Sequence, residues 1–443
     1  MAVSCKKFLD ASPDKQLTTP GTVQDLRAIL DFNNLMNVDY SCYGAIASDD
    51  YYVPDASLAT LRDVVAKNNY SWGLITESSD EDADWLLNYK RIFGVNVVLD
   101  NIDKVSLNGS TGVDVNTIKG EALFYRAFTI FTLAQVYALP YNPADAAEKP
   151  GIPLRLTSDI NEKMSRPSLF VTYQQITDDL LDAIGLLPIN SYNLLRPSKA
   201  AAFGALANVY LVMQQFDEAG KYADSCMRLR DELIDFNDLL PSANAPIELL
   251  NKEVLWQADL AYNTILATSR SKVDSLLYKS YGDTDLRKGI YFKVSGTSPP
   301  TYKGHYNGQW KGSSVHFSGI AVDEMYLIKA ECEARLGRTS DALTTLNNLM
   351  IRRYDKTSFI PFDASSPEAA LQVILQERRK ELCFRGALRW MDIRRLNQFE
   401  SSRIILNRKI EGQQFTLQPD DYHYAFLIPQ HVIDNSAVKQ NRR

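Results

Sequence analysis

Between Pro197 and Leu229 small and large apolar residues recur at the spacing of two short antiparallel helices. Setting Phe203 as the fourth position of a tetratricopeptide repeat of about 34 residues places Leu206, Ala207, Tyr210, Phe216, Ala219, Ala223 and Cys226 on its large and small positions. Ala207 and Ala219 allow close helix approach, while Leu206, Tyr210 and Phe216 offer apolar surface that a neighbouring repeat must cover. Partners are legible on both sides. Lys119–Tyr137 carries Leu123, Ala127, Ile130 and Ala134 on one face with Phe124, Phe128 and Phe131 beside it, which predicts a central helix apolar on most sides. After a loop with Pro140, Pro143, Pro150 and Pro153, Leu169–Leu187 supplies Ile176, Leu180 and Ala183 before Pro188, a repeat split by an insertion. From Val322, the residues Tyr326, Ala330, Gly337, Ala342, Leu346 and Leu349 fit a further repeat, with Lys329 at a usually apolar position. Ala369–Arg395 reads as another helical pair, and its arginines (378, 379, 385, 389, 394 and 395) are expected to be solvated or paired with Glu377, Glu381 and Asp392.

Before the first repeat, Asp10–Thr22 is polar with Pro13 and Pro20, and suits an extended tether or wrapping segment. Thr22 reads as an N-cap, with Leu26, Ile29, Leu30 and Asn33 on one helix face. The acidic run from Ser78 to Asp84 lacks the central glycine and closing glutamate of a calcium loop and reads instead as a helix's first turn. Trp85, Tyr89, Ile92, Phe93 and Asn96 continue that helix, with Trp85 in the core.

Two segments break the helical period. Residues 39–77 scatter Tyr40, Tyr43, Tyr51, Tyr52, Tyr70 and Trp72 among Gly44, Asp49, Asp50, Pro54 and Asn68. Residues 241–319 contain short strand-like pieces such as Val254-Leu255-Trp256 and a dense aromatic population between Tyr281 and Phe317. Both read as irregular, aromatic-rich loops.

With 45% hydrophobic residues, the chain of 443 residues has ample material for a large core. Its net charge of −6 and lack of basic runs argue against a nucleic-acid partner. No apolar run reaches the roughly 18 residues of a membrane span. Five cysteines without a C-x-x-C indicate neither a zinc site nor a disulfide framework; Cys226, Cys332 and Cys383 sit in helical patterns as small buried residues. Cys5 differs, since Ala2-Val3-Ser4 before it and Lys6-Lys7 after it fit the end of a bacterial lipoprotein signal.

Catalytic signatures such as G-x-S-x-G, H-E-x-x-H or a P-loop are absent from the sequence. Asp49 beside Asp50 imitates a glycosidase pair, but adjacency in sequence does not place two carboxylates across a sugar bond. His305 and His316 lack a third ligand at metal-binding spacing. The expectation is a binding protein with no enzymatic activity, cofactor or metal. A sugar ring packs its C–H face on Trp or Tyr while Asp, Asn and Arg bond its hydroxyls. Both irregular segments hold such groups. The candidate ligand contacts are Asp49, Asp50, Tyr51, Tyr52, Tyr70 and Trp72 from the first, and Tyr281, Tyr302, Tyr306, Asn307 and Trp310 from the second.

Eight stretches, in order, resemble the SusD/RagB family of Bacteroidetes outer-membrane nutrient-binding lipoproteins. They are CKKFLD; GEALFYRAFTIFTLAQVYALP with GIPL; RPSLFVTYQQITDDLLDAIGLLP; RPSKAAAFGALANVYL; KEVLW; DEMYLIKAECEARLGRTSDAL; ERRKELCFRGALRWMDIRRL; and FLIPQHVIDNSAVKQN. The resemblance covers essentially the whole chain. It implies an all-α, tetratricopeptide-like scaffold of four helix pairs with an irregular capping region bearing the ligand site. It further implies a tether over residues 1–21, one domain over 22–443, lipidation at Cys5 and a cell-surface location on the outer membrane. The implied partners are an oligosaccharide, or a peptide in some members, and a SusC-like TonB-dependent transporter. A plain interaction scaffold is the competing role for such repeats, but it leaves the aromatic loops unexplained.

Overall fold

Side-chain caps open the long helices where the apolar period begins. In the computed structural model, which describes residues 20–74, 83–308 and 315–443, Thr22 forms a capping box with Asp25 at the start of α1 (Val23–Leu30). Helix α2 (Ala83–Asn101) follows, and Thr111 with Asp114 forms a second capping box at α3 (Gly112–Tyr137). Ser168 and Ser198 cap α4 (Leu169–Leu186) and α5 (Lys199–Val212), each accepting the backbone N–H three residues on. The remaining long helices are α6 (Phe216–Met227), α7 (Val322–Arg335), α8 (Thr339–Met350), α9 (Pro367–Glu381) and α10 (Leu388–Leu396).

From α2 to α9 each helix packs on the next in chain order, so the fold is the expected all-α stack of tetratricopeptide-like pairs. In α5 and α6, Ala207 and Ala219 are fully buried at the interface, and Tyr210 lies nearly parallel to Tyr222 with centroids 5.5 Å apart. A Cβ on Gly204 would stand 2.8 Å from Ile320 Cγ2, which is why α5 carries glycine there. Lys329, odd by pattern, reaches from α7 to Asp224 of α6 at 2.6 Å. Helix α3 is buried almost all round; Phe124 and Phe128 each meet Trp256 edge-on at 4.9 Å, and Tyr40 joins the cluster, 5.3 Å from Phe128 and 5.8 Å from Trp256.

The strands are short antiparallel pairs: β1 (Tyr51–Tyr52) with β3 (Lys272–Val273), β2 (Val254–Trp256) with β6 (Ile320–Ala321), and β4 (Phe292–Lys293) with β5 (Thr301–Tyr302). The Val273 N–H donates to Pro300 O at 3.0 Å, so the first pair runs on toward the third. These pieces form the cap. A longer hairpin, β7 (Leu406–Ile410) with β8 (Gln413–Leu417), alternates buried and exposed residues on its first strand. It turns through Glu411 and Gly412, at φ 49° and 83°, as a two-residue hairpin turn with both φ positive requires.

Helix α2 continues through Ile92 and Phe93 as expected, with Ile92 and Val95 turned inward and Phe93 45% exposed. Two local expectations are corrected. The arginines of α9 and α10 are not solvated. Arg378 and Arg395 both bond Asp392, as expected of that carboxylate, and Arg395 also pairs with Glu331 at 2.6 Å. Glu377 and Glu381, by contrast, face the cap: Glu381 lies 3.0 Å from Arg287 and 2.6 Å from Arg353. The start of the acidic run lies outside the described residues. Its last member, Asp84, is buried in the first turn of α2 and accepts the Cys42 N–H at 3.2 Å. Cys226, Cys332 and Cys383 are buried free thiols.

Candidate functional site

Most of the aromatic residues expected to meet ligand are turned inward. The Tyr51 hydroxyl donates to Ile46 O at 3.0 Å, and the Tyr70 hydroxyl accepts the Val53 N–H at 2.9 Å. Trp72 holds φ 58° and donates its indole N–H to Ala47 O at 3.0 Å. The Arg408 guanidinium stands over the Tyr70 and Trp72 rings, 3.9 and 4.8 Å from their centroids, and donates to the carbonyls of Ala47, Ser48 and Tyr70. This is a structural clamp on the first irregular segment. All three rings are buried and show no face to a ligand.

The second segment repeats the lesson. Tyr281 donates to Lys380 O at 2.7 Å; Tyr302 donates to Gly304 O and stacks on Phe384 at 4.4 Å. Tyr306 donates to the Glu253 carboxylate under the Arg385 guanidinium, which lies 3.4 Å from its ring centroid. Asn307 donates to Val315 O at 3.0 Å and accepts from Gln257 at 2.9 Å. All four are buried. A loop without long helices needs bulky apolar anchors, and these residues serve as its core. Trp310 and Cys5 lie outside the described residues.

Asp49 and Asp50 are held by α9 and its neighbour. Asp49 takes a two-point contact from Arg389 at 2.6 and 2.7 Å, and Arg379 bonds both carboxylates. Burial opposes ionisation of Asp49, but Arg389 and Arg379 outweigh it and hold its carboxyl well below the usual range. Burial instead raises Asp50, with Arg379 offsetting only part of the effect, and the Phe384 N–H donates to it at 3.0 Å. Of the expected contacts within the described residues, Tyr52 at 38% exposure and the partly exposed Asp49 retain access to solvent.

What the two irregular segments do build together is a groove of about 390 Å³ where residues 60–63 meet residues 262–270. Tyr262 stands at its edge with 61% of its surface exposed. Asn263 donates to Asp63 Oδ2 at 3.0 Å, and each is fixed by its own backbone duty: Asp63 Oδ1 caps the short helix Val64–Tyr70, and Asn263 Oδ1 accepts the Ile265 N–H. Arg270 donates to Ser57 O and Thr60 Oγ1 at 2.6 and 2.9 Å, and Arg62 completes the wall. An exposed ring beside oriented amide, carboxylate and guanidinium groups can stack a sugar face and bond its hydroxyls. Sequence reasoning located both segments but passed over Tyr262. The available signal was local: Tyr262-Asn263-Thr264 is an aromatic in polar surroundings, outside the apolar run that turns Trp256 inward.

A family profile described as "starch-binding associating with outer membrane" matches residues 7–211, and the SusD family profile matches residues 288–440. The chain belongs to the SusD/RagB family. Among curated SusD/RagB relatives, SusD-like protein P2 of Formosa agariphila is 24% identical over 389 residues, 74% of each chain. A SusD superfamily protein of Bacteroides thetaiotaomicron shares the fold with a TM-score of 0.77 at 21% identity, covering 95% of this chain and 100% of that one. A putative sugar binding protein of Bacteroides vulgatus superposes with a TM-score of 0.76 at 21% identity, covering 96% and 99%. Among the described residues, no helix is long and apolar enough to cross a membrane.

Proposed function

We propose that this SusD-like chain captures oligosaccharides in the Tyr262 groove and delivers them to a SusC-like TonB-dependent transporter at the outer-membrane surface. The observation that carries the ligand class is the Tyr262 ring, 61% exposed beside Asn263, Asp63 and Arg270. Tyr52, 38% exposed, and Trp310, outside the described residues, are kept as candidate further contacts. The names of two relatives, a sugar binding protein and a SusD-like carbohydrate binding protein of Bacteroides vulgatus, agree with this reading. Binding without catalysis fits Asp49, which Arg389 and Arg379 hold as a carboxylate, and Asp50, which is buried against Arg379 and out of reach of a ligand. Residues 1–21 serve as the tether and Cys5 as the lipid attachment point; several acyl chains are needed for stable anchoring. Mass spectrometry of the native protein tests the anchor, and an unmodified Cys5 thiol refutes it.

Isothermal titration against plant, host and microbial glycans, with a casein digest in parallel, tests the function. Saturable heat with one glycan class, lost in Tyr262→Ala, is the expected result. Heat with peptides alone makes the protein a peptide receptor, and glycan binding that survives Tyr262→Ala moves the site elsewhere.

A further inference from the structure

A second groove, of about 560 Å³, opens between residues 241–244, the short helix Arg287–Tyr291 and the β4–β5 hairpin. Lys288, Lys293 and Lys303 line it. Of the two carboxylates at its wall, Asp285 is buried and already held by Arg287 at 2.8 Å and Lys380 at 3.1 Å. Asp283 stands fully in solvent and meets Lys288 at 3.5 Å. On a protein of net charge −6 this recess therefore reverses the local sign.

The lysines are positioned rather than loose. Lys303 Nζ donates to Ala243 O at 3.1 Å and to Pro241 O, which leaves one of its three N–H groups for a ligand. Lys293 Nζ donates to Asn244 Oδ1 at 3.2 Å, and Lys288 Nζ lies 5.7 Å from the Tyr278 ring centroid. Burial, together with the nearby Lys293 charge, holds Lys303 below the ordinary lysine range; an arriving anion favours the charged ammonium and so opposes that shift. Phe292 forms a buried apolar floor, and Tyr278 is half-buried at the wall.

We propose that this groove binds the anionic substituent of an acidic saccharide, a uronate carboxylate or a sulfate ester. The inference rests on the glycan-binding reading above. Tyr262 and Tyr278 lie on either side of β3 in the same stretch of chain, so one segment furnishes an aromatic to each groove. Ammonium donors with an aromatic wall suit a charged sugar ring better than a bare polyanion, which the overall negative charge repels.

The test is an NMR titration of the full chain labelled with ¹³C-lysine, its amines unmodified, at constant ionic strength, using galacturonic acid, galactose 6-sulfate, galactose and sodium sulfate. The expected result is saturable shifts at Lys293 and Lys303 with the charged sugars and none with galactose. The preference between the first two probes identifies the substituent. Lys288→Gln with Lys293→Gln, both on the groove's outer wall, should weaken charged-sugar binding at least about tenfold. Equal response to galactose, or unsaturable shifts spread over all lysines, overturns the proposal. So does a poly-glutamate peptide that binds where the acidic sugars do not. If sodium sulfate saturates the groove but no sugar binds anywhere on the protein, the glycan reading falls and the anion site stands.

Discussion

In the helical stack, Ala207 and Ala219 let α5 and α6 touch, and apolar rings fill what remains. In the cap, buried aromatic rings share the task with buried charge. Arg287 is fully buried against Asp285, Glu377 and Glu381, and Arg353 against Glu253 and Glu381. Two of the four carboxylates, Glu377 and Glu381, come from the last turns of α9, whose Arg379 also holds Asp49 and Asp50 of the first irregular segment. Helix α9 is thus a polar rail to which both loop regions are fastened. The contrast teaches where the molecule tolerates change: apolar packing absorbs modest alterations in volume, whereas a buried ion cluster is strongly destabilised when one partner is removed.

The sharpest way to break the comparison is Arg287→Ala, which leaves three carboxylates without their common cation. The expected loss is about 3–5 kcal/mol in urea denaturation, enough to abolish folding if the protein is of ordinary stability. A loss under about 1 kcal/mol would mean that the cap does not depend on the rail. Trp72→Ala follows, at about 3–5 kcal/mol for a fully buried indole that also loses its bond to Ala47 and its place under Arg408. Its effect should appear as a lower melting temperature, with ligand affinity unchanged in the fraction that remains folded.

Two glutamates of α7 sharpen the contrast among buried charges of the stack, because pH moves them in opposite senses. Burial lifts Glu324 to about 7, only partly offset by Arg378 at 3.6 Å, and it borders a cavity of about 50 Å³ shared with Ser41 and Asn208. Burial also opposes ionisation of Glu331, but Arg395 and Arg335 outweigh it and hold this carboxyl at about 2. With the folded value raised, Glu324 favours the native state below about pH 4.5, and that contribution is lost as pH rises toward 7. Glu324→Gln should therefore gain stability on the parent between those values and level off near roughly 3 kcal/mol. With its folded value depressed, Glu331 stabilises above about pH 4.5 and ceases to as pH falls toward 2. Glu331→Gln should be weaker by roughly 3 kcal/mol at neutral pH, the deficit closing in acid. Urea denaturation across pH reads both; parallel curves for the two variants would remove the distinction.

The stack was legible because helix pairing writes itself as period: small residues at Ala207 and Ala219, knobs at Leu206 and Tyr210, and the cap at Thr22. The β7–β8 hairpin was legible in principle, since Leu406, Arg408 and Ile410 alternate with exposed residues before Glu411-Gly412. The site was not legible residue by residue. Composition marks a loop as aromatic, but the direction of each ring depends on partners far along the chain, as with Arg408 over Trp72 or Lys380 O beneath Tyr281. Glu377 and Glu381 were misassigned for the same reason. Local i to i+4 reasoning sees neighbours on α9 and α10, and Glu377 does pair with Lys380, but the arginines that hold these carboxylates are Arg287 and Arg353 on other elements.

Tyr262→Ala is the smallest perturbation in stability and the most informative for function. The ring is largely exposed and rests on no core cluster, so its removal should shift unfolding free energy by no more than about 0.5 kcal/mol. Loss of one stacking face should nevertheless weaken glycan affinity by about tenfold or more, read by titration calorimetry on the same sample. Tyr51→Phe is the matched control from the first irregular segment. It deletes the bond to Ile46 O inside the cap and should move stability by about 1 kcal/mol while leaving affinity alone. If Tyr51→Phe changes affinity more than Tyr262→Ala does, the division between a buried aromatic frame and an exposed aromatic contact is wrong.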